Sequence, residues 1–241
     1  MEFTANDPQV PAPQTRPPPN QASVNLRTNV YNIAHLRANP LLAARITTFV
    51  NVGYRNKAVY APAYWTDDGT DRFQTPDAIY DAIGPNGLFA VVYNEKPVDD
   101  ELVACASITS WIGDLGGEET GKDDGGWEIK AVVTKVGWNK MGLAGRCIQM
   151  LTEETIKLER EALENKGERT LKIWIQAVES VNGEYWRRRG WKFVRAYEMP
   201  VGLWGSRFGF TLIVLLKEVD LQNGEVVQDT LRKKTVPLGG W

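Results

Sequence analysis

Residues 127–163 constrain the fold of this chain more than any other stretch. Trp127-Glu128-Ile129-Lys130-Ala131-Val132-Val133-Thr134 reads as a buried strand. Lys135 to Gly145, with Gly137, Gly142 and Gly145, reads as a turn. A helical pattern then runs from Arg146. Ala144, Cys147, Ile148, Leu151, Thr155, Leu158 and Ala162 recur at helical spacing, and Glu153, Glu154, Lys157, Arg160, Glu161 and Glu164 fill the other faces. Asn165-Lys166-Gly167 supplies a glycine where such a helix stops. A strand that feeds a glycine turn into a helix can hold phosphate. Small residues let backbone N–H groups approach an anion, and the helix N-terminus adds unpaired donors and a favourable dipole.

The flanking sequence sets this unit in a sheet. Residues 1–22 are proline-rich and poor in apolar side chains, which predicts an extended or flexible tail; 23–241 reads as one domain. Strands are expected over 24–31, 88–93, 102–109, 171–178, 191–197 and 208–219, with 88–109 forming an antiparallel hairpin. Helices are expected over 40–53, 76–83 and 181–189. The loop 113–126 is rich in glycine and acid; it reads as solvated, or as an attractor for a cationic substrate. Two aromatic segments, Tyr54–Trp65 and Val201–Arg207, frame a possible substrate face or fill the core. The fold class is therefore mixed α/β: a twisted mixed sheet flanked by helices.

Composition closes off several chemistries. A formal net charge of -2 argues against nucleic-acid binding by bulk charge. One histidine, His35, and two cysteines, Cys105 and Cys147, make no zinc-ligand set. Both cysteines read as small buried hydrophobes in a reducing compartment, and no signal peptide or membrane span is visible, so a cytoplasmic location is expected.

Neither a G-x-x-x-x-G-K-S/T loop nor G-x-G-x-x-G is present. Asn139-Lys140-Met141-Gly142-Leu143-Ala144 instead resembles the Gln/Arg-x-x-Gly-x-Gly/Ala pyrophosphate loop of the GNAT superfamily of N-acyltransferases, with Asn139 at the Gln/Arg position. Tyr185-Trp186-Arg187-Arg188-Arg189-Gly190-Trp191 resembles the second signature of that family. The resemblance implies acetyl-CoA or another acyl-CoA as cofactor. It also implies a small-molecule amine or a protein amino group as acceptor, with no nucleic acid or membrane involved. On this likeness Val132, Val133 and Thr134 pair with the pantetheine arm. Asn139, Lys140, Met141, Gly142, Leu143, Ala144, Gly145 and Arg146 receive the pyrophosphate side, and Trp186 lies beside the cofactor. Arg187 or Arg188 could reach a further phosphate. Glu128 is the expected general base, or else a surface glutamate paired with a lysine, and the Val133 N–H is the expected oxyanion donor. Trp186 stands where many members carry tyrosine, so the acid is Tyr185, another tyrosine such as Tyr197, or none, the thiolate leaving unaided. A catalytically silent acyl-CoA sensor or scaffold is the alternative.

Overall fold

The computed structural model describes residues 24–75, 77–114, 124–222 and 224. The proline-rich tail and the middle of the acidic loop lie outside the described residues. Seven strands form one sheet in the order β1-β2-β3-β4-β5-β7-β6. They are β1 (Leu26–Asn32), β2 (Leu88–Asn94), β3 (Glu101–Ser110), β4 (Trp127–Thr134), β5 (Thr170–Val178), β6 (Lys192–Met199) and β7 (Phe210–Asp220). β1 to β4 are antiparallel neighbours, β4 and β5 are parallel, and β7 inserts antiparallel between β5 and β6. The helices are α1 (Ile33–Ala38), α2 (Pro40–Arg55), α3 (Lys57–Tyr60), α4 (Ala78–Ile83), α5 (Leu143–Asn165) and α6 (Glu184–Arg187).

Both faces of the sheet are covered, which explains why its central strands read as continuous apolar runs. Along β2, Leu88, Ala90 and Val92 join the cluster under α5, with Cys147 and Leu151. Phe89, Val91 and Tyr93 join the opposite cluster, with Ile46 and Val50 of α2 and Ile79 of α4. Each fully buried leucine or isoleucine in these layers contributes about 2 kcal/mol of transfer free energy. α2 begins with Pro40 in its first turn, where the missing N–H costs nothing. It approaches the sheet closely at Gly53, where a Cβ would lie 2.2 Å from Val133 Cγ1.

Two sequence expectations are revised and one helix is new. α5 starts at Leu143 rather than Arg146, because Gly142 takes a left-handed φ of 77° and serves as the N-cap. The expected helix 181–189 is a π turn, Glu179–Gly183, running into the single turn α6. α1 was not anticipated; the Asn32 side chain caps it by accepting from the His35 N–H at 2.8 Å. The described ends of the acidic loop are anchored to the sheet, though Gly125 is exposed. Asp114 is buried and ion-paired with Arg195, and it also accepts from the Tyr197 hydroxyl at 2.7 Å. Arg195 Nη2 reaches Asp124 at 2.7 Å as well, so both ends are pinned to β6.

Candidate active site

The site begins with a defect in β4. Ser107 pairs with Lys130 and Cys105 with Val133, so β4 advances three residues where β3 advances two. The extra residue is a β-bulge, and Ala131 within it has a left-handed φ of 49°. β4 pairs with β5 only over Trp127–Ile129. Beyond that point β4 stays with β3, β5 stays with β7, and the two parallel strands fork. The fork opens into a cavity of about 470 Å³ lined by both strands, the C-terminus of α2 and the loop after α3.

Glu128 lies in this cavity and is 3% exposed. Gln176 Nε2 on β5 donates to its Oε1 at 3.1 Å. Lys130, two residues on and therefore on the same strand face, places Nζ 2.8 Å from Oε2. That pair is an ion pair without good hydrogen-bond alignment, and Oε2 has no directed donor among the described residues. Burial raises the pKa of Glu128 above the ordinary carboxylate value, opposed by Lys130, Gln176 and Arg72. A buried carboxylate with a raised pKa at a cleft is suited to taking a proton near neutral pH.

At the other end of β4 the turn 135–142 leads into α5. Lys140 has φ 66° and Gly142 φ 77°, and the first helical bond runs from the Arg146 N–H to the Gly142 carbonyl at 3.0 Å. The N–H groups of Leu143, Ala144 and Gly145 therefore have no helical acceptor. A Cβ built on Gly142 or Gly145 meets no heavy atom within 4 Å, so the approach to these donors is open. The residues fit a pyrophosphate: donors, dipole and space coincide. Met141 is half-buried against the α5 cluster, and the exposed Asn139 side chain donates to the Tyr60 hydroxyl at 3.1 Å. Arg146 is exposed, with Nη2 3.3 Å from the Leu26 carbonyl.

The other expected residues separate. Val132, Val133 and Thr134 line the cavity, as does Trp186, which is 3% exposed. The Val133 amide also lies against the Cys105 thiol, whose pKa burial pushes up and this amide pulls down. Tyr185 is not among the lining residues. Its ring packs edge-on against Trp186 at 4.7 Å and under the Arg189 guanidinium at 3.7 Å. Arg187 is held by Glu179 and Arg188 by Glu184 at 3.3 Å, so neither is an unpaired cation.

The far wall of the cavity comes from segments that sequence reading left vague. Tyr54 follows Gly53 at the end of α2, and the Ala131 N–H faces its phenol; burial raises the Tyr54 pKa, opposed by Arg72 and this amide. Trp65 and Trp204 line the same wall. Trp204 holds φ 55°, a left-handed conformation that is strained for a bulky residue. Its carbonyl accepts from Lys57 Nζ, and the next carbonyl, of Gly205, accepts from the Thr66 N–H at 2.8 Å. Asn51, Lys57, Arg72, Lys130 and Gln176 were not singled out from sequence, where each reads as an ordinary polar residue. The Glu128-x-Lys130 spacing was the one signal available.

No protein-family model matches the chain, and no curated protein matches it in sequence. Several solved structures are similar. A GNAT-family acetyltransferase from Streptococcus pneumoniae matches with a TM-score of 0.48 and 13% identity, over 81% of this chain and 100% of that one. An N-acyl amino acid synthase, FeeM, from uncultured soil microbes matches at 0.46 and 11%, over 80% and 90%. The yncA structure from Salmonella typhimurium, with its cofactor acetyl-CoA, matches at 0.45 and 18%, over 82% and 95%. Among the described residues no helix is long and apolar enough to cross a membrane, and no cluster of metal-ligating side chains occurs. The mixed seven-stranded sheet, its forking parallel pair β4–β5 and the glycine turn that opens α5 agree with the mixed α/β class expected from the sequence.

Proposed function

We propose that this protein is a CoA-dependent N-acyltransferase that moves an acetyl or other acyl group to a primary amine by direct attack within a ternary complex. The observation that carries the proposal is the fork itself: a buried carboxylate, Glu128, faces the gap between β4 and β5, and the open N-terminus of α5 stands at the end of the same strand. Bound acyl-CoA would supply the activated acyl group as a thioester. The N–H groups of Leu143, Ala144 and Gly145, with the turn Asn139–Gly142 and Arg146, would hold its phosphates. The backbone of Val132–Thr134, left unpaired toward β5, would take the pantetheine arm as an added strand, with Trp186 on the opposite side.

Glu128 would accept the proton of the acceptor ammonium, and Lys130 and Gln176 hold its carboxylate in place. A backbone N–H at the bulge would face the developing negative charge of the acyl oxygen; that of Val133 could do so only by leaving the Cys105 thiol. Tyr185 stands outside the cavity lining, so the proton donor on the leaving side is better sought in Tyr54, which lies within it. Isothermal calorimetry with acetyl-CoA tests the reading; no heat of binding at millimolar ligand would overturn it. A second reading, an acyl-CoA-binding fold without turnover, is favoured by Trp186, whose indole cannot supply a proton, in the cavity wall. Binding of acetyl-CoA with no acetylation across a broad amine panel would select it.

A further inference from the structure

Arg72 is the least explained charge in the cavity. It sits on a loop, yet the loop is clamped beside it: the buried Asn51 side chain donates to the Phe73 carbonyl at 2.8 Å and accepts from the Phe73 N–H at 2.9 Å. A primary amide satisfied on both sides by one residue's backbone fixes that backbone as firmly as a strand pairing does. The Arg72 guanidinium then lies 5.7 Å from the Tyr54 ring centroid and lines the cavity with Glu128. Its field reaches Glu128, Tyr54 and Lys57. The neighbouring arginine in the lining, Arg55, is spent on Asp71. Among the described residues Arg72 has no carboxylate within ion-pair distance.

The lining as a whole balances. Asp67, Asp68, Asp71 and Glu128 face Arg55, Lys57, Arg72 and Lys130, four acids against four bases. Such a mouth does not favour a polycation, which would need excess negative charge. It suits a ligand carrying one charge of each sign.

We propose that Arg72 anchors the acceptor, and that the acceptor is a primary amine bearing a carboxylate: an amino-acid-like zwitterion whose carboxylate docks on the Arg72 fork and whose amine faces Glu128. The assignment rests on the acyltransferase reading. A planar guanidinium with free N–H groups suits a carboxylate bidentately, and lysine cannot reproduce that geometry. Trp65 and Trp204, on the same wall, would bound the remainder of the molecule.

The test uses the full chain and three matched series: L-amino acids, their amides and the corresponding decarboxylated amines. Binding is followed by tryptophan fluorescence and acetylation by thiol release. The carboxylated member should bind roughly 10- to 100-fold more tightly than its amide or amine. Arg72→Ala and Arg72→Lys should remove that preference, with calorimetric affinity for acetyl-CoA unchanged. Equal affinity across each series, no binding of any carboxylated amine, or a preference that survives Arg72→Ala would overturn the proposal. So would an Arg72→Ala loss confined to acetyl-CoA affinity, which would make Arg72 a cofactor contact. Failure to bind acetyl-CoA in the wild type marks the separate failure of the acyltransferase reading.

Discussion

The two ends of the cleft are built in opposite ways. At the α5 end the candidate binding groups are backbone N–H donors in consecutive residues, Leu143 to Gly145, presented by a turn whose glycines leave room. At the proposed acceptor end they are side chains drawn from segments far apart in sequence: Tyr54 and Arg72 around α2, Glu128 and Lys130 on β4, Gln176 on β5 and Trp204 before β7. A backbone site tolerates most side chains but no change of backbone. A side-chain site does the reverse. The first suits a ligand part that never varies; the second can be re-cut for a new acceptor without disturbing the sheet.

The largest effect expected under this contrast falls on the side-chain end. Glu128→Gln keeps the shape and the Gln176 contact but removes the base, and should lower kcat roughly 100- to 1,000-fold with little change in acetyl-CoA affinity. Because burial raises the Glu128 pKa, the carboxyl binds its proton more tightly in the folded chain than in the unfolded one. Its contribution to stability is full below the unfolded pKa of about 4.3 and is lost as pH rises through the raised value. The wild type should therefore lose Tm relative to Glu128→Gln as pH rises across that window. Its activity should rise over the same range, and the variant's profile should be flat there.

Next comes the wall between the two ends. Gly53→Ala sets a methyl 2.2 Å from Val133 Cγ1, so α2 or β4 must move. We expect a loss of about 1–3 kcal/mol in urea unfolding and a fall in kcat, since Tyr54 and the bulge shift together. A smaller change at the backbone end sharpens the comparison. Gly145→Ala meets no atom in the protein, so it should stabilise α5 by roughly 0.5–1 kcal/mol. If phosphate sits on these N–H groups, the same methyl should weaken acetyl-CoA binding measured by calorimetry. Stability and affinity moving in opposite directions is the signature. Unchanged affinity would place the phosphates elsewhere.

The smallest effect lies outside the cleft. Burial would raise the pKa of Glu101, but hydrogen bonds from Lys135, Lys96 and Asn94 outweigh it and bring the carboxyl to about 2. Its stabilisation is present above the unfolded pKa and is lost as pH falls through the lowered one. Glu101→Gln should therefore flatten the acid limb of Tm against pH below about 4.3 and leave acetylation untouched.

The same contrast explains what was readable in advance. The strand 127–134, the turn and α5 are local, and their apolar spacing and glycines announce them within forty consecutive residues. Glu128 could be named because it belongs to that local unit. A glutamate paired with a lysine reads as a surface residue; the structure combines the Lys130 ion pair with burial of Glu128. Arg72 could not be named. Its position depends on the hydrogen-bonded clamp between Asn51 and Phe73, twenty-two residues apart in sequence, and a buried asparagine looks like any other in a linear reading. Nor could the insertion of β7 between β5 and β6, since the order of strands in the sheet does not follow their order in the chain.

The bulge at Ala131 has a consequence of parity. Along β4, Trp127 and Ile129 belong to the α5 layer and Ala131 and Val133 to the α2 layer, while Val132 packs toward α5. Odd-numbered residues thus change sides in mid-strand. A chain lacking one residue here would send Val133 to the wrong layer and Thr134 after it, and no substitution elsewhere could restore both. The interval from Glu128 to Thr134 is therefore a count rather than a length: one residue more or fewer within the strand swaps the inside and outside of the positions beyond the change.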